Sequence, residues 1–302
     1  MSFQRTLRKA VEIKGIGLHS GKEATALFTP APANSGIHLI RKDLEGDPTF
    51  KLTPAQVMAT DMATTLGLTQ KTSVSTVEHA LAAVAALGLD NLNIEVFGPE
   101  MPIMDGSAAP FFKQLQAAGL HEYVEPKFYF KIEKPVKVGN DEKHAYLLPY
   151  SGLKVTNTID FAHPSIGKQF FEFELSPRAF EEDIMYARTF GFMKDVEALR
   201  SRGLAMGGSL ENAVVLDEEK VLNPEGLRFP DEFVRHKILD TIGDMMTLGH
   251  PLLGHMVLYR CGHDLMNQLM KAVLQQEDSY RVCQLTENDY NSGQAMFGKE
   301  EA

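Results

Sequence analysis

Cations are in short supply in this chain, with 30 Lys and Arg against 40 Asp and Glu and a formal net charge of -10. Broad nucleic-acid binding needs a surplus of Lys and Arg to displace phosphate counterions, so no nucleic-acid partner is expected. A phosphorylated small molecule needs only a few local cations and stays open. Cysteine is equally scarce: Cys261 and Cys283 are the only two, and the segment MSFQRTLRKAVEIKGIGL lacks the apolar run of a secretory signal. A cytoplasmic, reducing location is the expectation. Long hydrophobic runs are missing too, because the Ala-rich stretch 80–87 stops at Gly88, far short of the ~18 apolar residues of a spanning helix. Any lipid is therefore met from the water side. Three catalytic signatures are also absent: H-E-x-x-H, G-x-S-x-G, and a G-x-G-x-x-G loop leading into a βαβ unit.

What is present is ordinary globular material, 44% hydrophobic and 23% charged over 302 residues. That length suits two cores rather than one. A strand over Leu7–Ile13, the turn GIGLHSG (15–21) and the alternating Ala24–Phe28 read as a hairpin. Ser75 and Thr76 precede the helical pattern EHALAAVAALG, closed by Gly88; a strand follows over Asn91–Phe97, then the loop PEMPIMDGS and a helix from Ser107 to about Ala118, ended by Gly119. The charged, Pro-containing stretch 125–127 is a joint. Strands are expected after it over 128–132, 154–160 and 169–175, and residues 193–228 read as an irregular insertion. The chain then gives a helix over 231–248, a strand over 254–259 and a helix from His263 to about Gln275. This repeats the helix, strand, helix order of residues 76–118 and predicts a duplicated unit that lays two helices on a sheet, although α+β chains also produce such an order by chance.

On the helix after Asp231, His236, Asp240 and Asp244 fall within roughly 80° of one another at about 100° per residue. Ile238, Leu239, Ile242, Met245 and Met246 hold the opposite arc and account for packing. An imidazole and a carboxylate four apart on a helix suit a divalent cation, as they also suit plain solvation. The matching helix of the first copy opens with Glu78 and His79, so a site shared between the copies would have His79, His236 and Asp240 as three ligands and Glu78 as an unligated base. The competing reading is S-x-x-E over 75–78, a capping box in which Glu78 only satisfies backbone amides. His263, at a helix start, needs a carboxylate such as Asp244 to favour its cationic form; the alternative is a partly buried histidine without a task. Lys237 is either an anion contact or a solvated lysine.

GIGLHSG (15–21), STVEHALAA (75–83), MPIMDGSAAPF (101–111), ARTFGF (187–192), HKILDTIGD (236–244) and CGHD (261–264) together resemble the UDP-3-O-acyl-N-acetylglucosamine deacetylase family, zinc enzymes of bacterial lipid A synthesis, in the family's order along nearly the whole chain. The resemblance implies an α+β fold of two similar domains, each a sheet with two helices, the helices sandwiched between the sheets. With the joint above, this divides the chain into domains 1–126 and 127–302. It implies one catalytic Zn2+ per chain held by His79, His236 and Asp240, with Glu78 as general base. Thr189 is implied at the oxyanion, and a protonated His263 oriented by Asp244 at the intermediate and the departing amine. Lys237, Phe190 and Phe192 are implied as substrate contacts, Lys237 near the phosphates, and insertion 193–228 as the passage for the acyl chain. The expected substrate is an acylated UDP-sugar, and the expected state a monomer. His19 belongs to a family motif without an assigned step. Residues 61–72 and the tail after Gln284 carry less of the pattern. Two other classes stay in view, a zinc amidase for a different N-acetylated sugar nucleotide and a non-catalytic binding protein on the same scaffold; iron also tolerates such a ligand set.

Overall fold

A computed structural model describes residues 2–285; the tail singled out above lies outside them except for Leu285. The chain opens with β1 (Phe3–Leu7), β2 (Val11–Ile16), β3 (Glu23–Pro30), β4 (Ile37–Arg41) and β5 (Thr49–Lys51). Two short strands follow, β6 (Val57–Ala59) and β7 (Thr65–Leu66), then α1 (Glu78–Ala86), β8 (Leu92–Phe97), α2 (Ala109–Ala117) and β9 (Leu120–Pro126). The expected strand Leu7–Ile13 is in fact two strands. The chain breaks at Arg8–Ala10, and β1 leaves to pair antiparallel with β9, joined there by the Arg8 N–H to the Gly119 carbonyl at 2.8 Å.

The remainder contains β10 (Tyr129–Ile132), β11 (Val136–Gly139), β12 (His144–Leu148), β13 (Leu153–Phe161), β14 (Gly167–Glu174) and the single turn α3 (Pro177–Ala179). After it come β15 (Phe190–Phe192), α4 (Met193–Ser201), β16 (Val214–Leu216), α5 (Glu232–Met245), β17 (Leu252–Tyr259), α6 (His263–Gln275) and β18 (Tyr280–Cys283). The helix expected over 231–248 is α-helical only to Met245, and Met246–Leu248 tighten into a 3-10 turn closed by Gly249 at φ 77°, a left-handed conformation that glycine adopts without steric cost.

The predicted duplication appears as one pairing scheme used twice. The first sheet has the order β2-β3-β8-β4-β5 and pairs antiparallel, antiparallel, parallel, antiparallel. The path β11-β12-β17-β13-β14 gives the same four pairings in the same order. In both, one helix precedes the central strand and one follows it. The fold is α+β, with the helices between the sheets: α1 packs on α5 and α2, and α6 packs on α5 and on β11 and β12.

Small residues set how closely α1 and α5 approach. Every one of the nine residues of EHALAAVAA is buried, and a Cβ on Gly243 of α5 would lie 2.1 Å from the Glu78 carbonyl oxygen. The two backbones touch where the first turn of α1 meets the last turn of α5. That contact brings residues 78–79 to residues 236–244.

Candidate active site

Glu78 and His79 are the first two residues of α1, and the entry to the helix is unusual. Thr76 has φ 57°, a costly conformation for a β-branched residue, held by its hydroxyl donating to Glu100 Oε1 at 3.0 Å. The buried Glu100 also accepts from the His19 and Ser20 N–H groups, at 2.8 Å each, so GIGLHSG is tied to the residues leading into α1. The capping box does not form: α1 has no side-chain cap, and the hydroxyl of Thr65 donates to that of Ser75 at 3.1 Å. Glu78 Oε2 instead accepts the Thr64 N–H at 3.1 Å. Its carboxylate is 97% buried.

His79, His236 and Asp240 come together across the two halves. Asp240 Oδ1 lies 3.7 Å from His79 Nε2 and 3.3 Å from His236 Nε2. Nitrogen and oxygen ligands held at roughly 2.0–2.2 Å around a tetrahedral ion stand about 3.4 Å apart, so these separations fit one shared cation. Two further observations agree. Asp240 Oδ1 is buried without a hydrogen-bond partner, an expensive state unless something positive completes it. His236 Nδ1 lies 3.0 Å from the Ala187 carbonyl; the bond requires N–H on that nitrogen and leaves Nε2 with its lone pair toward Asp240.

Charge in the cluster is arranged by burial and by neighbours. Burial, then His236, pushes the His79 imidazole down to about 3, and burial also lowers His236; both are neutral, as cation binding requires. Burial raises the Asp240 carboxyl, but positive charge beside it, on His236 when that ring is protonated and on Lys237 and His263, outweighs this and holds the group below the usual carboxylate range. Burial drives Glu78 up to about 8 against the pull of His263. Burial lowers His263, yet Asp244, reinforced by Glu78 and Asp240, overrides this and raises it to about 9. Glu78 and His263 are thus a facing carboxyl and imidazole whose proton affinities are both raised, a coupled pair of the kind that acid–base chemistry uses.

The geometry around His263 matches that charge state. Its Nδ1–H donates to Asp244 Oδ2 at 2.7 Å, and the Thr64 hydroxyl donates to Asp244 Oδ1 at 2.6 Å. Nε2 then faces the cluster, 3.9 Å from both Glu78 Oε1 and Asp240 Oδ2. Glu78, Asp240 and His263 also lie close enough to suggest a second ligand set, but a protonated His263 has no lone pair to give.

Lys237 lies closer to the cluster than a phosphate contact alone requires. Its ammonium bonds Asp240 Oδ2 at 2.8 Å and sits 5.6 Å above the Phe190 ring, balancing that carboxylate while its side chain keeps 22% exposure. A cavity of about 490 Å³ opens from this cluster. Glu78, His79, His236, Asp240, Lys237, His263 and His19 line its polar end, and Thr189 lies along its wall. Phe161, Phe190, Phe192, Val196, Leu210 and Val215 make its remainder apolar. The insertion supplies Val196 from α4 and Val215 from β16, and β16 pairs parallel with β15, which carries both phenylalanines. Thr189 is fixed through its backbone, with its N–H on the Gly106 carbonyl and its own carbonyl accepting from Val214, both at 2.8 Å.

Three contributors were not legible in the sequence: Thr64, the Ala187 carbonyl and Glu100. Thr64 lies in a loop without periodicity, a carbonyl carries no side-chain signal, and Glu100 reads as one loop carboxylate among many. His19 has its ring in the cavity wall with Nε2 buried and unpartnered, and burial lowers its affinity for a proton against the opposing effect of Glu100.

Residues 4–275 match the family model described as UDP-3-O-acyl N-acetylglycosamine deacetylase (LpxC). A protein of Bdellovibrio bacteriovorus named UDP-3-O-acyl-N-acetylglucosamine deacetylase is 52% identical over 285 residues, 94% of each chain. Proteins of the same name from Shewanella baltica strain OS155 and Shewanella sp. strain ANA-3 are 51% and 50% identical over 93% of each chain.

Proposed function

The chain belongs to the UDP-3-O-acyl N-acetylglycosamine deacetylase family, and from that premise we propose that it hydrolyses the N-acetyl amide of an acylated UDP-sugar, releasing acetate, at the cluster between α1 and α5. It is an amide hydrolase of the lipid A pathway. The observation carrying the assignment to this site is the convergence of His79 Nε2 and His236 Nε2 on the unpartnered Asp240 Oδ1. Those three residues would hold a Zn2+ ion, which supplies Lewis-acid polarisation and a lower water pKa when bound.

An acetamide resists attack because its carbonyl is a weak electrophile and its amine a poor leaving group. Glu78, buried beside the ligands and in no capping role, takes the proton of the attacking water. Negative charge then grows on the former carbonyl oxygen, and the Thr189 hydroxyl with the imidazolium of His263 stabilises it, an effect worth roughly 3 kcal/mol per well-placed donor. Asp244 keeps His263 charged and its Nε2–H directed inward, where it can also assist protonation of the departing nitrogen. Lys237 holds Asp240 and stands at the cavity edge where an anionic substrate group would arrive. The apolar wall of Phe190, Phe192, Val196 and Val215 suits the acyl chain.

No helix among the described residues is long and apolar enough to cross a membrane, which accords with cytoplasmic action on a substrate carrying its own lipid. Stripping the protein with a chelator should abolish acetate release, and about one equivalent of zinc should restore it. His236→Ala should fail to retain that equivalent by metal analysis; full occupancy in the variant would remove His236 from the ligand set.

A further inference from the structure

Arg188 is the largest fully buried side chain among the described residues, and Glu232, its partner, is completely buried. The guanidinium meets the carboxylate as a fork, with Nε to Oε1 at 2.9 Å and Nη2 to Oε2 at 3.2 Å. Glu232 accepts two backbone donors as well, the Arg188 N–H at 2.9 Å and the Arg228 N–H at 2.7 Å. The other arm of Arg188, Nη1, donates to Glu225 Oε1 at 2.6 Å, and Nη2 also donates to the Gly226 carbonyl at 2.7 Å. Stability alone is a poor explanation for such a pair, since apolar side chains of similar volume often stabilise as well or better. A fork with six geometric constraints is better suited to fixing position.

What it fixes is adjacent to the chemistry. Glu232 is the first residue of α5, and His236 stands one turn later on the same face. Arg188 lies between Ala187, whose carbonyl orients His236 Nδ1 at 3.0 Å, and Thr189 in the cavity wall. The same two segments are thus joined twice within one helical turn, once by the fork and once by the carbonyl–imidazole bond. We propose that Arg188 and Glu232 are positioning residues that set the height of the Ala187 carbonyl and the Thr189 hydroxyl against α5, and thereby the affinity of His236 for its cation. This deepens the proposed reaction and rests on His236 being a ligand.

The test is zinc affinity by chelator competition on full-length Arg188→Lys and Glu232→Gln. The first keeps the charge without the fork; the second keeps the shape without the charge. Each folded variant should bind zinc about 10- to 100-fold more weakly, the range for losing a group that orients a ligand, and the double variant should be no worse than the weaker single. A folded variant within twofold of wild-type affinity would overturn the clamp, even with a lowered melting temperature, because that pattern belongs to a purely structural pair. Failure of both variants to fold would likewise assign the pair to the fold and overturn it. A wild-type protein that binds no zinc would instead remove the ligand reading, so the two failures are distinguishable.

Discussion

The two sheets share one pairing scheme, but their halves do different work. In each, a segment is inserted at the same topological point, between the fifth strand of the sheet and the helix that precedes the central strand: residues 52–77 after β5 in the first half, residues 175–231 after β14 in the second. The short insertion places Thr64 behind Glu78 and Asp244. The long one places Ala187 and Thr189 over His236 and builds the apolar wall. The helices differ in the same sense, because α1 is a wholly buried run of small residues whose chemistry is confined to its first turn, whereas α5 carries His236, Asp240 and Asp244 along one stripe. A duplicated scaffold supplies the two walls of a cleft, and function enters through what each copy inserts at the equivalent junction.

The largest effect should come from the single acidic group α1 contributes. Glu78→Ala should keep zinc near one equivalent, since Glu78 is outside the proposed ligand trio, and lower turnover at least ~100-fold, about 2.7 kcal/mol of barrier. Near-wild-type acetate release would transfer the base role to the second half and end the division of labour described above. The contact between the halves gives the next effect. In Gly243→Ala the new Cβ would lie 2.1 Å from the Glu78 carbonyl oxygen and 2.7 Å from Glu78 Cα. These are backbone atoms, which yield only if α1 and α5 separate. Alanine gains ~1 kcal/mol of helix propensity, but the overlap should still leave the protein about 1–3 kcal/mol less stable, with weaker zinc retention because the proposed ligands come from both helices. A raised melting temperature with unchanged metal binding would mean the interface is looser than its packing implies.

How much of this was legible in the sequence depends on where each group sits. The stripe of α5 was readable because residues four apart on a helix share a face, and the turn at Gly249 because a left-handed residue closes the helix. The helix, strand, helix repeat pointed to the duplication, yet of the strands in the two sheets β4, β5, β11, β12 and β18 were not anticipated, nor were β6, β7, β9, β15 and β16 outside them. The five in the sheets are short, and β4, β12 and β18 are held by partners far along the chain, β8, β17 and β10, while β5 and β11 add to the sheet edges as hairpin neighbours of β4 and β12, so local pattern does not select them. The expected strand over residues 7–13 failed for the same reason: β1 belongs with β9, more than a hundred residues away. At the site, S-x-x-E over 75–78 reads as a cap or as a base; the cap does not form because residues outside the motif, Thr64 and Thr65, hold Glu78 and Ser75. Thr189, Phe190 and Phe192 came from family resemblance; no spacing rule would have brought residues of β15 to a helix forty residues later.

The smallest effect concerns Thr64, the one side chain of the short insertion that reaches the second half's acid. Its hydroxyl donates to Asp244 Oδ1 at 2.6 Å and lies 3.2 Å from His263 Nδ1, so it fixes the carboxylate that fixes the imidazolium. Thr64→Val keeps the volume and the backbone N–H that Glu78 accepts, and removes only that donor. Asp244 then retains its bond to His263 but loses its lateral restraint, and His263 Nε2–H is no longer held on a single bearing. Because the change touches none of the proposed ligands, zinc content should stay at one equivalent. Turnover should fall about tenfold, near 1.4 kcal/mol, with KM little altered, since the lost restraint acts on the acid rather than on substrate binding. A variant with unchanged kcat would show that Asp244 is held adequately by its own helix, making the short insertion a backing for Glu78 alone.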